Sequence, residues 1–288
     1  MRRTHIAIAA ILLCFLESKV DAQRTTPVIR QVDHILVDCT NPKALFSLFA
    51  DTLQLPVAWP ISENQRYLTG GIGMGNTNIE FFGYSESSPT GQPETHFYGI
   101  AFEPYPLVDA LRRLRSLGIP YSTPEPVEAA LPNGSRGVAW TTVGLPSASK
   151  SGTSIFLYEY SPAFLRVDVR RRQLGNRLIL NNGGPLGLES VCEIIIGSTD
   201  LKDDLAMWSL LLGKPAPSGN LRAGNGPAIR IVQDSRGGVR ELLLKVRSLE
   251  QAKAFLKQNK LLGSVSENKT CLNPAKLWGL KISLTDKQ

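Results

Sequence analysis

Val32-Asp33-His34-Ile35-Leu36-Val37-Asp38-Cys39-Thr40-Asn41-Pro42-Lys43 and Val191-Cys192-Glu193-Ile194-Ile195-Ile196-Gly197-Ser198-Thr199-Asp200-Leu201-Lys202 align at a constant offset of 159 residues. The register continues without a gap, so that Phe49 meets Trp208, Leu53 meets Leu212 and Pro56 meets Pro215. Self-similarity at a fixed spacing marks an internal duplication. Each copy reads as an apolar strand, a turn and a helix. The helix spans Lys43 to Leu53 in the first copy and Leu201 to Leu212 in the second, with Leu45, Leu48, Phe49 and Leu53 at helical spacing.

A weaker echo lies inside each half. Gly99 to Phe102 precedes the amphipathic stretch Leu107 to Gly118, and Glu241 to Val246 precedes Leu249 to Leu262. β-rich stretches follow the helices at Tyr67 to Phe82, Gly137 to Tyr160, Ala228 to Gln233 and Leu277 to Leu284. The chain therefore predicts an α+β protein of four βαβββ modules paired into two domains with curled mixed sheets, over 23–160 and 188–288. Residues 161–187 form the connector, whose run Arg170-Arg171-Arg172 reads as a solvated face.

Composition narrows the classes. A chain of 288 residues, 42% hydrophobic and 20% charged, is ordinary globular polymer, which excludes disorder, collagen and coiled coil. The formal charge of +7 is diffuse and lacks an aromatic-interleaved basic stripe, so nucleic acid is not an expected partner. Arg2-Arg3, the apolar run Ile6 to Leu16 and Val20-Asp21-Ala22 make a secretory signal peptide over 1–22, with Gln23 as the mature start and a periplasmic or extracellular destination. That run is too short to span a bilayer, which takes about 20 apolar residues, and no later run is longer, so no membrane insertion is expected after signal removal. The mature chain keeps Cys39, Cys192 and Cys271, enough for one internal disulfide and without zinc-finger spacing. It keeps two histidines, His34 and His96. No serine- or cysteine-based triad is framed around them.

Val32 to Val37, Leu53-Gln54-Leu55-Pro56, Asn78-Ile79-Glu80-Phe81 and Ile155-Phe156-Leu157-Tyr158-Glu159-Tyr160 resemble, in their order and spacing, the vicinal oxygen chelate superfamily. That superfamily includes glyoxalase I, extradiol dioxygenases, epimerases and antibiotic-resistance proteins. The resemblance covers Ile29 to Tyr160 and, more weakly, Leu188 onward. It implies paired units whose sheets curl into a cup holding a divalent metal, with ligands on the first and last strands of each unit. Those positions here are His34, Glu80, Gly99 and Glu159. Gly99 departs from the pattern, and His96 takes its place only if a bulge intervenes.

Strand alternation gives the same residues a reading of their own. With Ile35 and Val37 packed on the helix, His34 and Leu36 face the other way, and Ile79 and Phe81 likewise leave Glu80 on the concave surface. An imidazole and a carboxylate suit Zn, Fe, Mn or Ni. Glu159, alternating with Leu157 and Ile155, is the expected third ligand, with Tyr158 and Tyr160 pointing away. In the second half Glu193 stands at the position of His34 and Arg230 at that of Glu80, which predicts an ion pair in place of a metal. Gly70-Gly71-Ile72-Gly73-Met74-Gly75 reads as a hairpin with close backbone approach, and Trp59, Tyr98 and Trp140 as cup-lining aromatics.

Two functions follow as expectations. One is a divalent-metal-dependent lyase, isomerase or dioxygenase acting on a small oxygenated metabolite, with Glu80 or Glu159 as ligand or general base. The other is an exported, metal-free protein that binds a small molecule, as resistance proteins of this architecture do. Assembly into an oligomer stays open.

Overall fold

The duplicated strand–turn–helix is conserved between the halves down to its caps. In a computed structural model that describes residues 27–63, 67–84, 95–149, 153–216 and 219–287, Asn41 accepts a hydrogen bond from the amide of Ala44 at 3.0 Å. Asp200, 159 residues later, accepts one from Asp203 at 3.2 Å. Such side chains satisfy amides that the first helical turn leaves without partners. The expected signal segment, 1–22, lies outside the described residues.

The first half begins with β1 (Ile29–Asp38) and α1 (Pro42–Ser47), the latter prolonged by a π-helical turn over Leu48–Thr52. Then come β2 (Val57–Glu63), β3 (Tyr67–Gly73) and β4 (Asn78–Tyr84). The same plan repeats as β5 (His96–Pro104), α2 (Leu107–Ser116), β6 (Glu125–Ala130), β7 (Arg136–Gly144) and β8 (Ser154–Tyr160). The connector contains α3 (Val167–Leu180). The second half has β9 (Leu188–Ser198), α4 (Leu201–Leu212), β10 (Leu221–Arg222) and β11 (Ala228–Gln233). It closes with β12 (Gly238–Val246), α5 (Leu249–Gln258), β13 (Leu262–Val265), β14 (Thr270–Leu272) and β15 (Ile282–Thr285). The third module thus shows two strands after its helix among the described residues, where three were expected.

Two mixed sheets result, of eight strands in the order β2-β3-β4-β1-β5-β8-β7-β6 and seven in the order β10-β11-β9-β12-β15-β14-β13. In the first, β1 runs parallel to β4 and antiparallel to β5, and β5 runs parallel to β8. One face of these four central strands packs under the helices. Ile35, Val37, Ile79, Phe81, Ile100, Phe102, Ile155 and Leu157 are all buried there, and the opposite face is left to form a cup.

The halves are joined by packing and by polar contacts. Phe102 and the Trp208 ring lie 5.8 Å apart, and the Asn76 side chain clasps Val191, donating to its carbonyl and accepting from its amide, each at 3.0 Å. The connector departs from its expected solvated form. α3 buries Leu174 and Leu178, and of the arginine run only Arg172, paired with Asp168, is exposed. Arg170 and Arg171 turn into the first half, where apolar anchoring of α3 holds them. Cys39, Cys192 and Cys271 are all free thiols. Among the described residues no helix is long and apolar enough to cross a membrane.

Replacing Asn76 by Ala removes both hydrogen bonds of the clasp and leaves the Val191 amide without its partner. The expected cost is about 1–3 kcal/mol, read as a lower midpoint in urea unfolding at an unchanged slope.

Candidate functional site

A bulge in β1 creates the site. Val32 pairs with Phe102 and His34 with Ala101, so Asp33 has no partner across the strands. The extra residue breaks the alternation, and Thr77 Oγ1 fixes it by donating to the Asp33 carbonyl at 3.1 Å. Consecutive side chains can then meet. His34 Nδ1 lies 2.7 Å from Asp33 Oδ2, and Nε2 lies 3.2 Å from Glu80 Oε2. Thr69 donates its hydroxyl to the other oxygen of Glu80.

The histidine is 2% exposed and is met edge-on by Tyr158 at 5.2 Å, Trp59 at 5.9 Å and Phe156 at 6.4 Å. Burial on its own would lower its pKa. The hydrogen bonds to Asp33 and Glu80, with their negative charges, outweigh it and raise the pKa to about 9. His34 is therefore an imidazolium at neutral pH. Behind it, Arg171 reaches to 4.0 Å from Asp33 and bonds Glu103 at 2.9 Å, while Arg30 approaches Glu103 at 3.3 Å.

The cup above His34 and Glu80 encloses about 570 Å³. Its walls are largely aromatic, with Trp140 stacked on Tyr158 at 5.7 Å and Tyr158 against Tyr160 at 4.9 Å. Burial raises the phenol pKa of Tyr158 and of Tyr160 above the usual range, so both stay protonated hydroxyls. Trp59 lies across Gly71, where an added Cβ would sit 2.4 Å from the indole. That is the close approach expected of the glycine-rich stretch. Trp59 and Trp140 line the cup as expected; Tyr98 stands 39% exposed outside its lining.

His34 and Glu80 are thus brought together, and the other two expected ligands are not. Glu159 shares the parity of Ile155 and Leu157 and lies on the helix face, where its carboxylate accepts from the Leu107 amide at 2.7 Å and caps α2. Phe156, Tyr158 and Tyr160 take the cup face instead. The expectation that Glu159 supplies a ligand is corrected by the same parity rule that places Glu80. The strand register pairs Leu36 with Glu80 and Ala101 with Phe156, so Phe156 occupies the place in the second module that Glu80 has in the first. Gly99 mirrors His34, and a Cβ there would meet the Ser154 carbonyl at 2.4 Å. A bulge does intervene at Tyr98, yet it leaves His96 exposed at the strand start opposite Asp38.

The corresponding positions of the second sheet hold Glu193, Arg230, Glu241 and Ser283. Arg230 bonds Glu193 at 2.9 Å, the predicted ion pair. The buried Glu241 is held by Lys269 and by Lys281, the latter at 2.8 Å.

No protein-family profile matches the chain, and no curated protein matches it. Solved structures do. An extradiol ring-cleaving dioxygenase from B. fuscum superposes with a TM-score of 0.59 at 10% identity, over 91% of this chain and 73% of that one. The substrate complex of homoprotocatechuate 2,3-dioxygenase from Brevibacterium fuscum with 3,4-dihydroxyphenylacetate gives 0.55 at 10%, over 91% and 82%. A hypothetical protein from Staphylococcus aureus gives 0.60 at 11%, over 88% and 98%. The chain shares the two-sheet α+β fold of these structures. Identity this low carries the fold alone.

Of the four strand positions that the sequence resemblance assigns to metal ligands, half hold donors in the cup. His34 Nε2 and Glu80 face each other, and Asp33 stands behind the ring as an orienting carboxylate does in metal sites. Gly99 and Phe156 offer no donor, and among the described residues no group of three His, Cys, Asp or Glu is arranged to hold a metal. Zn, Fe, Mn or Ni sites take three or more protein ligands. These residues do not fit one.

Sequence reading missed Asp33, because the bulge is invisible to alternation, and Arg170, because its run looked like surface. Phe156, Tyr158 and Tyr160 were legible from the parity of Ile155 and Leu157.

Because the folded pKa of His34 lies above its unfolded value near 6.5, the stability it contributes is complete below that value and lost as pH rises through about 9. The loss is on the order of 3 kcal/mol. Urea unfolding between pH 6 and 10 should show this decline, and His34→Gln should flatten it.

Proposed function

We propose that the cup binds a small planar aromatic compound bearing oxygen substituents, without the metal that the fold implies. The observation that supports this most directly is Phe156, an aromatic ring in the place of the second carboxylate, facing His34 at 6.4 Å. A volume of about 570 Å³ is in the range of small-molecule sites, roughly 300–1,000 Å³. Stacked and edge-on rings supply apolar area and orientation. The imidazolium–carboxylate pair at the floor and the Tyr158 hydroxyl supply a donor and an acceptor for ligand oxygens. In this reading the Tyr158 hydroxyl donates to a ligand oxygen and Glu80 accepts from a ligand hydroxyl, while His34, with both nitrogens engaged by Asp33 and Glu80, holds the floor of the cup in place. The neighbour solved with 3,4-dihydroxyphenylacetate makes that compound a suitable first probe. Export after cleavage before Gln23 belongs to the same proposal, supported by the charged start and the short apolar run; N-terminal sequencing of the protein recovered outside the cytoplasm checks it.

Elemental analysis of the purified chain should find well under one equivalent of Zn, Fe, Mn or Ni. In the presence of EDTA, 3,4-dihydroxyphenylacetate should quench the fluorescence of Trp59 and Trp140, and Tyr158→Ala should weaken binding about tenfold. One retained equivalent of metal that is lost in His34→Ala, or quenching that requires metal, would overturn the proposal in favour of a metal-dependent enzyme. Absence of binding would overturn it outright.

A further inference from the structure

His34 is held between Asp33 and Glu80, and Arg171 and Arg30 share Glu103, with Arg171 also near Asp33. Arg170 lines the cup, and no carboxylate pairs with it among the described residues. Its guanidinium spends one donor on the Ala58 carbonyl at 2.7 Å and lies 4.9 Å from the centre of the Trp59 ring. A guanidinium carries five N–H donors in a planar fork suited to two-oxygen anions, so most of them stay available at the wall of a half-enclosed aromatic site. The contact with Trp59 fixes the plane of the fork without neutralising it.

The group is also held from outside the sheet. Arg170 sits on α3, whose Leu174 and Leu178 are buried, so its backbone is anchored. A guanidinium without a carboxylate partner among the described residues, oriented by Trp59 and half-buried at the wall of a largely aromatic cup, is complementary to one kind of ligand.

We propose that Arg170 anchors an anionic group, making the ligand of the cup an aromatic anion such as an aryl carboxylate or sulfonate. This rests on the reading of the cup as an aromatic binding site and adds the charge of its ligand. Affinity for an anionic aromatic then depends on Arg170, whereas affinity for the neutral ring does not.

A matched probe pair separates the two statements. 8-Anilinonaphthalene-1-sulfonate and N-phenyl-1-naphthylamine share their ring system and differ by the sulfonate, and both can be titrated by fluorescence into the purified full chain. Arg170→Met should weaken the sulfonate at least tenfold and the neutral amine less than twofold. Arg170→Lys should restore part of the loss. Arg172→Met, which removes the same charge from the exposed side of α3, should change neither. Equal changes for both probes in Arg170→Met, or no change in either, would overturn the role of Arg170 and leave the aromatic cup standing. If neither probe binds the wild-type chain, the cup reading itself fails, and the anion anchor with it.

Discussion

A buried imidazolium between two carboxylates is the constraint on which the first half of the molecule is built. A charge at 2% exposure is tolerated only when paired and hydrogen-bonded on every available side, and His34 is met by Asp33 at one nitrogen and Glu80 at the other. Meeting that condition requires the β1 bulge, the β4 register that brings Glu80 beside Leu36, and the Thr69 hydroxyl on the far oxygen of Glu80. It also recruits Arg171 from outside the sheet, which offsets the second carboxylate. Removing one partner would leave an uncompensated buried charge, so the group behaves as a unit.

The two sheets show two outcomes of one duplicated plan. Four equivalent positions line each concave face. In the first sheet they hold His34, Glu80, Gly99 and Phe156, with the cup walled by rings. In the second they hold Glu193, Arg230, Glu241 and Ser283, and Lys269 and Lys281 complete the ion pairs. The charged side chains of the second face are engaged with one another, whereas the first face carries aromatic walls and an arginine without a carboxylate partner among the described residues. The difference between the halves is therefore one of side-chain chemistry on a common backbone.

The connector joins these statements. α3 is bound to the first half through Leu174 and Leu178, and its consecutive arginines do different work because successive helical residues point in different directions. Arg170 faces the cup, Arg171 backs the buried histidine, and Arg172 stays outside with Asp168.

Much of this was legible in the amino-acid order. The 159-residue offset marked the duplicated strand, turn and helix, and Glu193 at that offset from His34 with Arg230 at an offset of 150 from Glu80 marked the ion pair. Alternation placed His34 and Glu80 on one surface, because apolar neighbours fix which face of a half-buried strand turns inward. The same rule, followed through Ile155 and Leu157, puts Glu159 under a helix and Phe156 in the cup. Only the tertiary structure decided that Asp33 turns toward His34, since one unpaired residue reverses the alternation and leaves no local mark. Only it decided which arginines face inward, because the direction of a helix face depends on what that helix packs against, and that partner lies far away in the chain.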